Sequence, residues 1–378
     1  MNKIRKILAM VLAAGMSASL MACGSSSAGK AEATAEVTTA AAASEAAQER
    51  GVAVAPDKKD ANAEGSLGDF KMIVGHAQPE GNPRFVSLEK FAADVEEKTG
   101  GHVTVTVYGN GQLGTEKEML EQVVQGTIQG MRGGQFDFCP RLQMFTAPFM
   151  TQTRKQVTAL LQSDLAKKVS EEAEKETGTV IINLCDAGGY RQFSNNIRPV
   201  KKPDDLKGLK IRTNGMKTYD LAFQTMGAST VTIPYADLYM SLKTGVADGQ
   251  DNSWGNVVSM KFYEVQKYFT EVNYVFAPDP FYVNGEWWNA LPEEYQKIIL
   301  ECATAMGEYN DQLIDEGEEK AKQDIIASGA ELYIPTPEEL QQFVDAVQPV
   351  YQQMIQEGFC TQEEMDQMWE IVRDAAKE

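Results

Sequence analysis

An alternation of strand and helix patterns between residues 71 and 246 constrains the fold of this chain more than any other feature. Residues 103–107 alternate valine with threonine, which predicts a half-buried strand. Residues 115–118, Thr-Glu-Lys-Glu, form a capping box, which predicts the start of a helix. Strands that alternate with helices are typical of α/β proteins. We therefore expect an α/β fold, and residues 68–378 are numerous enough to form two lobes with separate cores.

The remaining predicted elements follow the same alternation. Strands are predicted at residues 71–74, 179–184, 209–212 and 230–233, and helices at residues 85–95, 216–226 and 235–246. Residues 126–138 are glycine-rich with little strand character, and residues 248–252 are predicted to be a polar turn. Residues 292–377 have helical patterns almost throughout, with one strand and a turn near residues 330–337.

The N-terminal residues have the pattern of a secretory signal. Positively charged residues within positions 3–6 precede the apolar residues 7–20, a segment too short for a comfortable membrane span. Leu20-Met21-Ala22-Cys23 resembles a lipobox, which predicts a lipoprotein signal peptide over residues 1–22 and a lipid anchor on Cys23. The alternative is an ordinary cleaved signal with no acylation of Cys23. Either signal predicts an extracytoplasmic protein, on the outer face of the cell membrane or in the periplasm.

Residues 23–67 are rich in Ala, Ser, Thr and Glu and contain almost no large apolar side chains. A segment of this composition buries too little apolar surface to offset its loss of conformational entropy on ordering. We therefore expect a flexible tether between the anchor and the folded domain.

The net charge of the chain, −19, argues against a nucleic-acid or anionic-lipid partner, because both require a basic surface. An acidic protein that binds an acidic ligand needs a local positive site, which directs attention to its arginines. Four cysteines follow Cys23 without the spacing of a metal site: Cys139, Cys185, Cys302 and Cys360. We expect them to be small buried apolar residues, with one or two disulfides as the alternative.

The sequence contains little material for catalysis. Residues 109–114 satisfy G-x-G-x-x-G, but no second apolar strand ending in an acid follows at the expected distance, so we interpret the glycines as a tight turn into a helix. The start of that helix could still face an anionic ligand. His76 and His102 are the only histidines, and no nucleophile motif is present. We expect neither an enzyme nor a bound cofactor or metal.

Two arginines and an amide stand where a carboxylate ligand could be held. Arg212 ends a predicted strand, and its forked guanidinium can form two parallel bonds to a carboxylate. Arg191 follows a strand and two glycines, Asn252 lies in the predicted polar turn, and Tyr235 begins a helix. Each of these residues also has an alternative role without a ligand. Arg212 could pair with a structural acid, and Arg191 could be a solvated loop residue. The turn that contains Asn252 could be purely structural, and Tyr235 could be a core residue.

The motifs of the domain resemble the extracytoplasmic solute-binding proteins of tripartite ATP-independent (TRAP) transporters, the DctP-like family. The motifs that carry the resemblance are Gln112-Leu113-Gly114, Pro148-Phe149, Arg191-Gln192-Phe193-Ser194-Asn195-Asn196, Leu206-Lys207-Gly208-Leu209-Lys210-Ile211-Arg212, Asp248-Gly249-Gln250 with Asn252, Phe262-Tyr263-Glu264-Val265-Gln266-Lys267-Tyr268, and Leu291-Pro292. They are collinear through most of the exported domain.

The resemblance implies a two-lobe periplasmic-binding-protein-like fold with hinge strands and a long helix that spans both lobes. The implied lobes are residues 68–188 with 278–317, and residues 189–277 with 318–378. Arg212 stands at the position of the arginine that binds the ligand carboxylate, Arg191 at that of a second arginine, Asn252 at that of an amide donor, and Tyr235 at that of a ligand-packed aromatic ring. Gln250, Trp254 and His76 complete the candidate contacts.

The chain departs from the family pattern in two places. Residues 129–135 are glycine-rich and shortened, and Asp251-Asn252-Ser253-Trp254 replaces the commoner Glu-Asn-Pro. The resemblance implies capture of a small organic acid and its delivery to a membrane permease by a protein that we expect to be monomeric. C4-dicarboxylates, sugar acids, and keto or aromatic acids remain open as ligands. A ligand-binding module for signalling and an exported carboxylate-processing enzyme are the alternative functions.

Overall fold

The predicted alternation of strands and helices is present in the computed structural model, which describes residues 67–377. The strands are β1 (Phe70–His76), β2 (Val103–Tyr108), β3 (Gly130–Arg132), β4 (Thr179–Asn195), β5 (Lys210–Thr213), β6 (Ser229–Thr232), β7 (Gly249–Asn252), β8 (Tyr268–Asn284) and β9 (Glu331–Tyr333). The helices are α1 (Pro83–Lys98), α2 (Glu116–Val124), α3 (Arg154–Leu161), α4 (Asp164–Thr177), α5 (Lys217–Thr225), α6 (Leu238–Lys243), α7 (Trp254–Ser259), α8 (Gly285–Ala290), α9 (Glu293–Ala327), α10 (Pro337–Ala346), α11 (Gln348–Gln356) and α12 (Gln362–Ala375). The predicted signal peptide, the lipid anchor on Cys23 and nearly all of the tether lie outside the described residues.

Two long strands connect the two halves of a mixed sheet. The strand order is β2-β1-β3-β8-β4-β7-β5-β6, with β9 on β8. Strands β4 and β8 are each 17 residues long and pair antiparallel over most of their length. Strands β1 to β3 lie at one end of this pair and form the sheet of the first lobe, whereas β5 to β7 lie at the other and form that of the second lobe. The α/β two-lobe fold predicted from the sequence is therefore confirmed.

Helix α9 packs on both lobes, because its apolar side chains belong to two separate cores. Near its start, Ile299 and Met306 are fully buried in the first-lobe core with Phe91 of α1. Near its end, Ala321 and Ile325 are buried in the second-lobe core. At about 1.5 Å of rise per residue, 35 residues extend about 50 Å, which is long enough to reach across both lobes.

An irregular stretch of β4 marks the point where the long strands leave the first lobe. The pairing with β8 shifts register between Asp186 and Tyr190. Gly188 and Gly189 lie there with φ of +118° and +88°. A Cβ at Gly188 would be 2.6 Å from Ser253 Oγ, so this position requires glycine for both its backbone conformation and its close contact. The lobe boundary predicted near residue 188 falls in this stretch, and the lobe ranges themselves stay a prediction.

The interpretation of residues 248–252 as a turn is wrong. Residues Gly249–Asn252 form β7, which pairs antiparallel with β4 and parallel with β5. All four residues are buried. The sequence pattern does not predict this strand because its residues are polar. Their side chains form hydrogen bonds with one another and with β4 in place of apolar contacts. Two smaller differences are that residues 130–132 form β3 and that Arg191 lies within β4 rather than in a loop after it.

Cys139, Cys185, Cys302 and Cys360 are all free and buried, as expected for small apolar residues. Within residues 67–377, no helix is both long enough and apolar enough to cross a membrane.

Candidate ligand-binding site

A cavity of about 40 Å³ lies between elements of the two lobes. Its size is sufficient for a few water molecules or for part of a small ligand. The lining residues are Gln78, Arg84, Glu116, Gly134, Ala187, Arg191, Arg212, Asn214, Met216, Tyr219, Tyr235, Asn252, Asn256 and Ala277. We call this space the arginine cavity, since three guanidinium groups line it.

Arg212 on β5 has no carboxylate partner among the described residues. The residue is 2% exposed, and its Nε donates a hydrogen bond of 2.8 Å to the backbone carbonyl of Ile233. No carboxylate oxygen of residues 67–377 lies within 4.0 Å of its guanidinium nitrogens. Burial lowers the pKa of Arg212 to about 10, with Asp251 acting against the change and Arg191 adding to it. Its terminal nitrogens therefore form a desolvated positive charge that an anion can neutralise.

Arg191 on β4 is held rigidly by the adjacent strand. Its Nε forms an ion pair with Asp251 Oδ2, and its Nη2 donates to the Asp251 backbone carbonyl at 2.7 Å. The hydroxyl of Tyr274 also donates to Asp251 Oδ2. The guanidinium carbon stands 5.1 Å from the centroid of the Tyr219 ring. Burial alone would lower the pKa of Arg191, but the Asp251 carboxylate raises it, so this arginine is a fixed cation.

Side-chain amides connect the arginine cavity to both lobes. Asn252 Nδ2 donates to Gln250 Oε1 at 3.0 Å, and Asn252 Oδ1 accepts from Asn256 Nδ2 at 3.0 Å. Asn256 Oδ1 in turn accepts from Asn82 Nδ2 at 3.1 Å, and Asn82 also donates to Ser259 Oγ at 2.9 Å. Asn82 is the N-cap of α1 in the first lobe, whereas the other four residues belong to β7 and α7 of the second lobe. Asn256 therefore contacts both Asn252, a candidate ligand-binding residue, and Asn82 of the first lobe.

Tyr235 covers part of the arginine cavity from the 3₁₀ turn that precedes α6. Its ring packs edge-on against Phe262, with centroids 5.9 Å apart, and its hydroxyl donates to the Asn256 backbone carbonyl at 3.4 Å. Burial raises the pKa of Tyr235, so the phenol stays neutral and can serve as a hydrogen-bond donor or acceptor.

The first-lobe side of the cavity is formed by Arg84 on α1 and Glu116 on α2. Arg84 is bound through two nitrogens to Asp279 on β8, with Nε 2.9 Å from Oδ2. Asp279 also pairs with Arg132, whose Nε is 2.7 Å from the same oxygen. Glu116 Oε1 lies 3.8 Å from Arg84 Nη2, beyond hydrogen-bond distance. Burial raises the pKa of Glu116 and the Arg84 charge opposes that change.

Comparison with known proteins shows the family to which this chain belongs. The model of the family described as bacterial extracellular solute-binding protein, family 7 (DctP), matches residues 74–357. The chain belongs to this family. Residues 74–357 include every residue that lines the arginine cavity.

Named relatives and solved structures match most of the length of this chain. The 2,3-diketo-L-gulonate-binding periplasmic protein YiaO of Escherichia coli is 28% identical over 272 residues, which are 71% of this chain and 82% of YiaO. A TRAP periplasmic solute-binding protein from Desulfovibrio salexigens, solved with bound orotic acid, has a TM-score of 0.76 at 26% identity and covers 81% of this chain and 99% of its own. Another from Shewanella oneidensis, solved with bound succinate, has a TM-score of 0.75 at 27% identity and covers 82% of this chain and 99% of its own.

The structure brings four of the seven predicted contact residues together. Arg191, Arg212, Tyr235 and Asn252 all line the arginine cavity. Gln250 lies behind it, where its Nε2 donates to Ser194 Oγ at 2.8 Å and its Oε1 orients the Asn252 amide.

Trp254 and His76 also lie outside the arginine cavity. Trp254 packs in the second-lobe core against Phe269 and borders a neighbouring cavity of about 430 Å³. His76 is fully buried, with Nδ1 2.7 Å from the Arg132 backbone carbonyl. Burial and the Arg84 charge lower the pKa of His76 to about 3, so its ring is neutral.

The sequence did not reveal the first-lobe half of the cavity. Arg84 follows the Asn82-Pro83 start of α1, and Glu116 is the first residue of α2, so both occupy positions that look like ordinary helix starts. The start of α2, a candidate place for an anionic ligand, presents the Glu116 carboxylate to the cavity instead. Only the packing of α1 and α2 against β8 brings these groups to the arginines.

Proposed function

We propose that the protein captures a small organic acid in the arginine cavity and delivers it to the membrane permease of a TRAP transporter. The observation that carries the proposal is Arg212, a buried guanidinium with no carboxylate oxygen of the described residues within 4.0 Å. A buried charge without a partner destabilises a fold, so its retention favours a role in binding an anion. The ligands named for relatives, diketogulonate, orotic acid and succinate, are all carboxylic acids.

The ligand carboxylate is proposed to bind Arg212 through two parallel hydrogen bonds. Arg191, held by Asp251, supplies a second fixed positive charge on the same side of the cavity. Asn252 retains one amide hydrogen after bonding to Gln250, and that hydrogen is available to a ligand oxygen. The Tyr235 ring covers the bound acid. Pairing in a site shielded from water makes these contacts strong, because the local dielectric is low.

We propose that binding closes the two lobes about the irregular stretch of β4 and β8. Asn256 touches Asn252 in the second lobe and Asn82 in the first, so a ligand on Asn252 stabilises the contact between lobes. The closed protein, a monomer anchored by lipid on Cys23 outside the cell membrane, then docks on the permease. No step of this cycle changes the ligand chemically.

A thermal-shift screen of the full-length protein against organic acids tests the proposal. We expect stabilisation by at least one carboxylic acid and none by the matching amide or methyl ester. Ligand recovered after long incubation should be unchanged. A ligand without a carboxylate that stabilises the protein most strongly would overturn the proposal.

A further inference from the structure

Glu116 is a carboxylate aimed at the same cavity as the arginines. It begins α2 and lines the arginine cavity together with Arg84 of α1, whereas Arg191 and Arg212 line it from β4 and β5. Its Oε1 is 3.8 Å from Arg84 Nη2, whereas Arg84 is already bound through two nitrogens to Asp279. The backbone N–H of Gly134 acts to lower the pKa of Glu116, against the effect of burial, and the carboxylate keeps acceptor capacity for a ligand.

The glycine-rich loop around β3 makes room for this carboxylate. A Cβ at Gly133 would lie 2.8 Å from Glu116 Oε1, closer than real Cβ contacts allow. Gly134 itself lines the cavity. The loop that departs from the family pattern in the sequence is thus the loop against which Glu116 packs.

The charges of the cavity leave room for one negative charge on the ligand. Arg84 and Arg132 share Asp279, and Arg191 is paired with Asp251. The single carboxylate of Asp279 neutralises only one of the two positive charges of Arg84 and Arg132, and Glu116 lies 3.8 Å from Arg84. His76 beside them is neutral. When Glu116 is ionised, four guanidinium groups face three carboxylates in this group of described residues, which leaves one net positive charge.

We propose that Glu116 makes the site selective for monocarboxylic acids that carry a hydroxyl at the end remote from the carboxylate, over dicarboxylic acids of equal length. This inference rests on the proposed function, because it assumes that the ligand carboxylate binds Arg212. A remote hydroxyl can donate a charge-assisted hydrogen bond to Glu116. A remote carboxylate cannot donate when ionised and is repelled by Glu116 at short range. Hydroxy and sugar acids therefore fit the cavity better than C4-dicarboxylates.

Three matched pairs of acids test the proposal: 4-hydroxybutanoate with succinate, D-erythronate with meso-tartrate, and D-gluconate with D-glucarate. Each pair differs only in whether the remote carbon is a hydroxymethyl group or a carboxylate. Kd values are measured by calorimetry at pH 7.5 on protein freed of co-purified ligand. We expect the wild type to bind the hydroxy acid of at least one pair tenfold or more tightly than its dicarboxylate. In Glu116→Gln the ratio should shift at least tenfold towards the dicarboxylate.

The control is Glu121→Gln, a change on the same helix at a residue that does not line the cavity, which should leave every ratio unchanged. A ratio of affinities within one variant does not depend on its folded fraction, so partial unfolding of Glu116→Gln cannot imitate the effect. A wild type that prefers the dicarboxylates, or ratios unaltered in Glu116→Gln, would overturn the inference while leaving the proposed function intact.

Failure of all six acids to bind would also overturn it. The organic-acid screen then decides the proposed function separately, because a carboxylate ligand of any other kind would still support that function.

Discussion

Replacing Arg212 with methionine should stabilise the ligand-free protein. Methionine has a similar length and can occupy the same buried space without a charge. Burial lowers the pKa of Arg212 from 12.5 to about 10, and one pKa unit corresponds to 1.36 kcal/mol, so the fold destabilises the charged form by roughly 3 kcal/mol. At pH 7.5 the arginine is protonated in both the folded and unfolded states, so this penalty is fully present. It is relieved only as the pH rises above about 10.

Part of that gain is lost again, because the Ile233 carbonyl loses its hydrogen-bond donor in Arg212→Met. A lost hydrogen bond costs about 1 kcal/mol, which leaves a net stabilisation of roughly 1–2 kcal/mol. For a domain of this size the melting temperature should rise by about 2 °C. Calorimetric unfolding of protein stripped of ligand by denaturation and refolding measures this change.

Arg191→Met is the matched control for Arg212→Met. It removes the same kind of side chain from the same cavity but leaves Asp251 buried without its cationic partner, which should destabilise the fold by about 3–5 kcal/mol. Opposite signs for the two variants are the expected result. If ligand-free Arg212→Met is destabilised as strongly as Arg191→Met, Arg212 is a structural residue and the reasoning from its unpaired charge is refuted.

Three further predictions concern residues outside the arginine cavity: Gly188, the four buried cysteines and Asp311. Gly188→Ala should destabilise the protein and weaken ligand binding, because its positive φ and the nearby Ser253 Oγ leave no space for a Cβ; unchanged melting and Kd would contradict this. In a Cys23→Ser protein, a thiol reagent at pH 8 should label the four remaining cysteines only after unfolding, since burial raises the pKa of Cys139 to about 12; rapid labelling of the native protein would argue otherwise. Burial and the Asp186 charge raise the pKa of Asp311 to about 6, so the folded state holds this proton more tightly than the unfolded state, and the contribution of Asp311 to stability should rise as the pH falls from 7 towards 4. The melting temperature of Asp311→Asn relative to the wild type should therefore fall over that range, and a difference that does not change with pH would exclude this assignment.

The sequence predicted best those elements whose periodicity is strong. The alternating residues 103–107 became β2, the capping box at residues 115–118 begins α2, and the long helical pattern after residue 292 became α9. Strand β7 was missed because its side chains are polar and buried, a combination that depends on partners from β4. No local pattern identifies such a strand.

The sequence predicted the second-lobe residues of the candidate site but not the first-lobe residues. Arg191, Arg212, Tyr235 and Asn252, which the family resemblance implies as ligand contacts, line one cavity, and their contact with a ligand stays a prediction. Arg84 and Glu116 were not predicted, since each resembles an ordinary helix-start residue and gains its position only from the packing of α1 and α2 against β8. Trp254 and His76 are two further candidate contacts that pack elsewhere, Trp254 in the second-lobe core and His76 against the backbone of Arg132.

The central claim is that Arg212 binds the carboxylate of an organic acid. The most direct test is a calorimetric titration of the acid selected by the thermal-shift screen into wild type, Arg212→Lys and Arg212→Ala. Truncating one partner of a buried charge pair costs about 2–5 kcal/mol, which corresponds to about 30-fold to several-thousand-fold in Kd. We predict that Arg212→Ala folds but shows no measurable binding and that Arg212→Lys is severely weakened, because an ammonium cannot form the two parallel bonds. Micromolar binding retained by Arg212→Ala would contradict the claim.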